Sequence, residues 1–169
     1  MSVTMQPGMP INQEAAMTQD VDVAVAAWHE DGRWTLAQLP NPHDLAHIID
    51  RLKSQRTNGG AIALIAIDEE FFILVRVLGS HISMFMSDAT CAIDYEVAAE
   101  FIELADLPFP EEEDEPLPTG HLDILADLGL NHMEISALCD DAELFPDEQL
   151  DAIATRLGFG EEFRELISL

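Results

Sequence analysis

Two histidines four residues apart, in His43-Asp44-Leu45-Ala46-His47, are the sharpest enzyme-like pattern in the chain. On a helix, side chains at i and i+4 share a face and can hold one metal ion. In zinc proteases of this type the residue after the first histidine is Glu, the general base. Here it is Asp44, one methylene shorter, which weakens the case for water activation. A plainer reading competes with it: Asp44 suits the positive end of a helix, and both histidines fall off the Leu45/Ile48/Leu52 stripe. Asp68-Glu69-Glu70 resembles an acid–base pair only superficially, because it sits in a predicted turn. Catalytic carboxylates need burial or a close like charge to separate their pKa values. Cys91 and Cys139 are the two cysteines, and there is no CxxC pair, so neither a disulfide framework nor a thiolate zinc site is expected. No G-x-S-x-G, phosphate loop or G-x-G-x-x-G occurs. No catalytic residue, cofactor or metal site is therefore assigned, and a small metal-dependent enzyme is the least favoured reading.

Charge points elsewhere. The 169 residues carry 33 Asp and Glu against 7 Lys and Arg, a formal net charge of −26. Binding nucleic acid needs a basic face to neutralise phosphates, and anionic membranes repel such a chain, so neither is expected as a direct partner. Basic protein surfaces are, including those of proteins that themselves bind nucleic acid. The sharpest acidic block is Glu111, Glu112, Glu113, Asp114 and Glu115, a candidate docking strip for such a surface. A second candidate contact is the apolar stripe of Phe159, Phe163, Leu166, Ile167 and Leu169, anchored by Phe159 and Phe163. Arg51, Lys53 and Arg56 form the one basic cluster, and the ordinary reading is positive charge in the last turns of a helix.

The elements that must position these residues read as α+β. Hydrophobic residues make up 48% of the chain, enough for a packed core. Residues 1–20 are polar, Met-rich and aperiodic, read as a flexible extension. Residues 21–106 form a mainly antiparallel sheet with two helices. Val21–Trp28 and Arg33–Leu39 are strands around a His29-Glu30-Asp31-Gly32 hairpin signal. A helix opening near Pro42 carries Leu45, Ile48, Ile49 and Leu52 and ends at Asn58-Gly59-Gly60. Strands follow at Ala61–Ile67, Phe71–Leu78 and His81–Met86. Asp88 then caps a helix with the stripe Ile93, Val97, Phe101 and Leu104. Residues 107–118 hold four prolines around the five acids and read as a stiff, extended linker. Residues 119–169 read as a small all-helical module. Its helices start at Thr119, Asn131 and Pro146, with Gly129 and Gly158 as stops, and Phe159–Leu169 is an amphipathic tail. The linker and module hold 17 acids and 2 bases, against 16 and 5 in the first 106 residues. No basic n-region precedes an apolar stretch, and the longest apolar run is Ala61–Ile67, too short to span a bilayer. A cytoplasmic protein is expected.

Three stretches carry a family resemblance. Phe72–Gly79 followed by Phe85-Met86-Ser87-Asp88-Ala89, then Leu125-Ala126-Asp127-Leu128-Gly129, and most specifically Leu138–Leu150 running on through Ile153–Gly160, resemble the tRNA adenosine deaminase-associated proteins of actinobacteria. The resemblance covers nearly the whole chain from Val21 onward. It implies association with the tRNA adenosine deaminase and no catalytic residues. Zinc deaminases need an H-x-E element and a P-C-x-x-C element; neither is present, so the chain is not itself such a deaminase. The expectation is an acidic, non-catalytic accessory protein in adenosine-to-inosine tRNA editing. The alternative is a nucleic-acid mimic that occupies a basic site.

Overall fold

The structure is a computed structural model, and it describes residues 22–55 and 60–167. The expected N-terminal extension, Arg56 of the basic cluster, the helix stop at Asn58-Gly59 and Leu169 lie outside the described residues.

Strand β1 (Val23–Glu30) turns into β2 (Arg33–Gln38). Glu30 pairs with Arg33, leaving a two-residue loop in which Asp31 has φ 53° and Gly32 φ 79°. Two positive φ values in succession give the primed turn whose twist suits a tight hairpin. Helix α1 (Leu45–Lys53) starts later than Pro42 suggests. Asp44 is its N-cap, accepting from His47 N at 3.1 Å. Strands β3 (Ala61–Ile67), β4 (Phe71–Leu78) and β5 (His81–Met86) follow. Asp88 caps a short 3₁₀ helix, Ala89–Ile93, and helix α2 (Glu96–Leu104) comes next. Glu100 of α2 accepts from Leu45 N at 3.1 Å, satisfying a second free donor at the start of α1.

The sheet is antiparallel throughout, in the order β2-β1-β3-β4-β5-β6, where β6 is the two-residue strand Thr119–Gly120. Its central strands are buried on both faces: every residue of β3, and Phe71 to Val77 of β4. The side-chain period of two divides them. Ala61, Ala63, Ile65 and Ile67 face one core with α1 and α2. Ile62, Leu64 and Ala66 face another with the C-terminal helices. Near-continuous apolar runs such as AIALIAI are what a sheet covered on both sides requires.

The C-terminal part departs from expectation in two places. Residues 107–118, read as an extended linker, contain one turn, closed by Asp114 N donating to Glu111 O at 3.0 Å. The chain then joins the sheet edge, with Thr119 opposite Met86 and Gly120 opposite Phe85. A Cβ on Gly120 would lie 2.3 Å from Met84 O, so this close strand approach requires glycine. Thr119 is therefore a strand residue rather than a helix cap. The helix expected beyond it is a set of turns ending in a 3₁₀ segment, Ala126–Leu128. Leu122, Leu125 and Leu128 are spaced by three, the period of a 3₁₀ helix rather than an α-helix.

Helices α3 (His132–Asp140), α4 (Pro146–Leu157) and α5 (Gly160–Ile167) complete the fold. Asn131 and Glu134 form the capping box of α3, and Pro146 opens α4 as its sequence position indicates. These helices have no core of their own. Ile135, Leu150, Ile153, Phe159 and Phe163 pack directly on Val25, Ile62, Leu64, Phe72 and Phe85 of the sheet. The result is three layers: α1 and α2, the sheet, then α3 to α5. Arg76 of β4, 6% exposed, ties the layers together. It donates to Asp127 Oδ2 at 2.9 Å and to Ile124 O at 3.0 Å.

Candidate partner interface

An acidic cleft of about 210 Å³ opens where five segments meet. The β3–β4 turn brings Glu69 and Glu70, the end of β5 brings Asp88, and the end of α3 brings Asp140 and Asp141. Pro116 and Pro118 form another wall, and the start of α4 closes the cleft with Leu144 and Pro146. Five carboxylates and no cation line it. The geometry is held by the backbone. Asp68 and Glu69 adopt φ 55° and 58°, an uncommon conformation for such residues. Tyr95 OH donates to Asp68 Oδ2 at 3.0 Å, and Asp68 N donates to Asp22 Oδ1 at 2.8 Å, which fixes that turn. Asp88 Oδ1 accepts from Thr90 N and Oγ1. Buried Gln149 donates to Leu138 O at 2.6 Å and fastens the end of α3 to α4.

Glu111 to Glu115 are all exposed and lead through Pro116 and Pro118 into this cleft. Glu111 N donates to Asp114 Oδ2 at 2.9 Å, so the block is a folded acidic knob. Run and cleft adjoin through Pro116 and Pro118, and both carry only negative charge. Three of the described cations are paired with acids of their own chain. Arg76 pairs with Asp127, Arg156 with Glu134 and Arg164 with Asp151. Arg51 and Lys53 stand in the last turn of α1, where the helix dipole favours them.

Phe159 and Phe163 are placed otherwise than the sequence suggested: both are fully buried. Phe159 packs on Trp34 with ring centroids 4.7 Å apart. Phe159 lies just before α5, and Phe163, Leu166 and Ile167 form the inner face of that helix against the sheet, so neither ring is available at the surface.

The enzyme-like patterns come apart. His43 lies before the N-cap of α1, outside the helix, so it and His47 do not share a helical face. His43 Nε2 meets Asp22 Oδ2 at 2.9 Å. Among the described residues no group of three or more His, Cys, Asp and Glu side chains is placed to hold a metal. Both thiols are poor nucleophiles. Burial first, then the charges of Asp88 and its neighbours, push Cys91 up to about 12. Burial and then Asp140 push Cys139 up to about 12. Thiolate is the reactive form, and at neutral pH neither supplies it. A second hollow of about 340 Å³ holds His81, His121 and Asp123, but there Asp127 is already engaged by Arg76.

The cleft carboxylates were missed from sequence because three distant segments supply them. Glu69 and Glu70 read as turn residues and Asp88 as a cap. The one usable signal was Asp140-Asp141, inside the stretch that carries the family resemblance.

Residues 22–160 match the sequence model of a family described as Rv3753c-like tRNA adenosine deaminase-associated protein. The chain is 34% identical over 163 residues to Protein Rv3753c of Mycobacterium tuberculosis (strain ATCC 25618 / H37Rv), covering 93% of each chain. No solved structure matches. Among the described residues no helix is long and apolar enough to cross a membrane.

Proposed function

The chain belongs to the tRNA adenosine deaminase-associated family, and we propose that it is a non-catalytic cytoplasmic accessory protein that binds the tRNA adenosine deaminase directly. The observation that carries this is the anionic surface made by Glu69, Glu70, Asp88, Asp140 and Asp141 with the adjoining run Glu111–Glu115. A deaminase acting on tRNA needs a cationic surface for the phosphates. An acidic surface of this size meets such a partner by long-range attraction and sets a salt-dependent association rate. The two cysteines lack the activation a nucleophile needs, and the histidine pattern does not assemble, which supports a binding role. Contact at the acidic face would alter the deaminase's stability, assembly or access to tRNA.

The same surface also favours a second reading, in which it mimics nucleic acid and occupies the tRNA-binding face. Size-exclusion chromatography with light scattering separates the two. The protein is mixed with the tRNA adenosine deaminase of the same organism, with and without tRNA, at low and moderate salt. An accessory protein co-elutes with the deaminase and remains in a ternary complex when tRNA is added. A mimic is displaced by tRNA. Separate elution under every condition overturns both readings.

A further inference from the structure

A second groove adjoins the acidic cleft, and its chemistry is different. It has a volume of about 440 Å³ and runs between α3 and α4. Leu130, Ala137, Leu138 and Ala152 give it an apolar lining, and Arg156, the one cation there, is paired with Glu134. Alanines on both helices leave the trough open where larger side chains would fill it. Asp141 lines this groove and the acidic cleft alike, so the two adjoin at that residue. Met133, 70% exposed and one turn before Ala137 on α3, extends the apolar surface. An exposed methionine beside a helical groove adapts its shape to an incoming side chain.

We infer that this groove seats an amphipathic helix of a protein partner, its apolar side chains against Ala137, Leu138 and Ala152 and its Lys or Arg side chains reaching past Asp141 into the acidic cleft. The inference deepens the accessory-protein reading and rests on it for the partner's identity. A trough between two helices receives side chains at i, i+3, i+4 and i+7 of a third. Nine-residue α3 is about 13 Å long, so the occupant is a helix of two to three turns. Charge selects among occupants. A second copy of this chain would bring another −26 to the same place. Residues 1–21 of the chain itself carry Glu14 and Asp20 and no base. A basic helix from a different protein is the complementary choice.

The test uses the full-length protein, isotopically labelled for amide NMR, and a synthetic 14-residue helical peptide whose central two turns carry leucines at i, i+3, i+4 and i+7, with lysines elsewhere; that apolar stretch, about 12 Å, matches the groove and the flanking residues extend beyond it. A scrambled peptide of the same composition is the control for bulk charge attraction. The expected result is a footprint on α3, α4 and residues 139–142. Affinity falls at least about tenfold for the scrambled peptide and for Ala137→Glu, about one logarithmic unit in Kd. Ala137 is exposed, so this variant keeps its fold, and Met133→Gln gives a second, milder loss. Equal binding of the two peptides, a footprint elsewhere, or an unchanged affinity in Ala137→Glu overturns the inference. Binding of the same variants to the intact tRNA adenosine deaminase keeps the two claims apart. Deaminase binding unaffected by Ala137→Glu defeats the groove and leaves the accessory reading standing. A footprint on α3 and α4 without deaminase binding defeats the accessory reading alone.

Discussion

Replacing Asp127 with alanine removes the carboxylate that faces the buried Arg76 guanidinium. Arg76 rises from the centre of the sheet with a side chain 7% exposed, and Asp127 answers it from the turn before α3 with a side chain 60% exposed. Two charge-assisted hydrogen bonds join them, one at 2.9 Å, and Ile124 O accepts a third at 3.0 Å. Breaking a fully buried pair from one side costs about 3–5 kcal/mol, whereas an exposed pair is worth about 0–1 kcal/mol. Here the cation is buried and the carboxylate meets water, so the loss lies between, about 2 kcal/mol. For a domain of this size that is a fall in Tm of about 4–8 °C. Adding Arg76→Met to Asp127→Ala removes the buried charge that has lost its counter-ion and recovers part of the loss. Urea denaturation followed by circular dichroism measures all three proteins. The sign with pH is fixed as well. Hydrogen bonding from Arg76, and secondarily its charge, holds the Asp127 carboxyl below the usual carboxylate range. Its contribution is therefore complete above the unfolded value near 4 and is lost as pH falls through the lower folded value. Wild type should lose its advantage over Asp127→Ala below about pH 4. A single variant within about 0.5 kcal/mol of wild type, the scatter of ordinary surface changes, would refute this reasoning. So would a double variant less stable than the single.

Gly160→Ala should destabilise by about 1–3 kcal/mol in the same assay, because a Cβ there would lie 2.2 Å from Thr155 Oγ1 and 2.8 Å from Thr155 Cα. An unchanged midpoint would mean α5 shifts freely on α4. Cys91 and Cys139 should react with a thiol reagent at pH 8 far more slowly in the folded protein than in urea, since burial first pushes both up to about 12. Equal rates would contradict the packing around them. Added sodium chloride should raise Tm, because screening relieves the self-repulsion of a net charge of −26 more than it weakens the arginine–carboxylate pairs seen among the described residues. A falling Tm would show that the attractive pairs dominate.

The strands and their hairpin were legible in sequence because they obey local rules. AIALIAI has the composition of a buried strand, Gly32 marks the hairpin turn, and Asn131 is a recognisable helix cap. What lies on the far side of the sheet was not legible. Phe159 and Phe163 carry the same periodicity whether α5 is a docking face or the inner face of a third layer, and their burial is decided by strands more than 70 residues earlier. Leu122, Leu125 and Leu128 suggest a helical stripe, but their three-residue spacing is that of a 3₁₀ turn, which is what forms at Ala126–Leu128. The acidic run could be found as a block, but the cleft beside it could not, since register and packing alone bring Glu69, Asp88 and Asp141 together. Charge was visible in the composition; the gathering of Glu69, Glu70, Asp88, Asp140 and Asp141 around one cleft is a property of the fold.

Direct binding to the tRNA adenosine deaminase is the central claim, and isothermal titration of the two purified proteins from the same organism tests it most plainly. The account predicts saturable binding at about 50 mM salt that weakens at least tenfold at about 300 mM, where the Debye length has shrunk by roughly half. It also predicts weaker binding when Asp140 and Asp141 are replaced by Asn and Ser. Absence of saturable binding at about 50 mM salt, with both proteins folded, would contradict it.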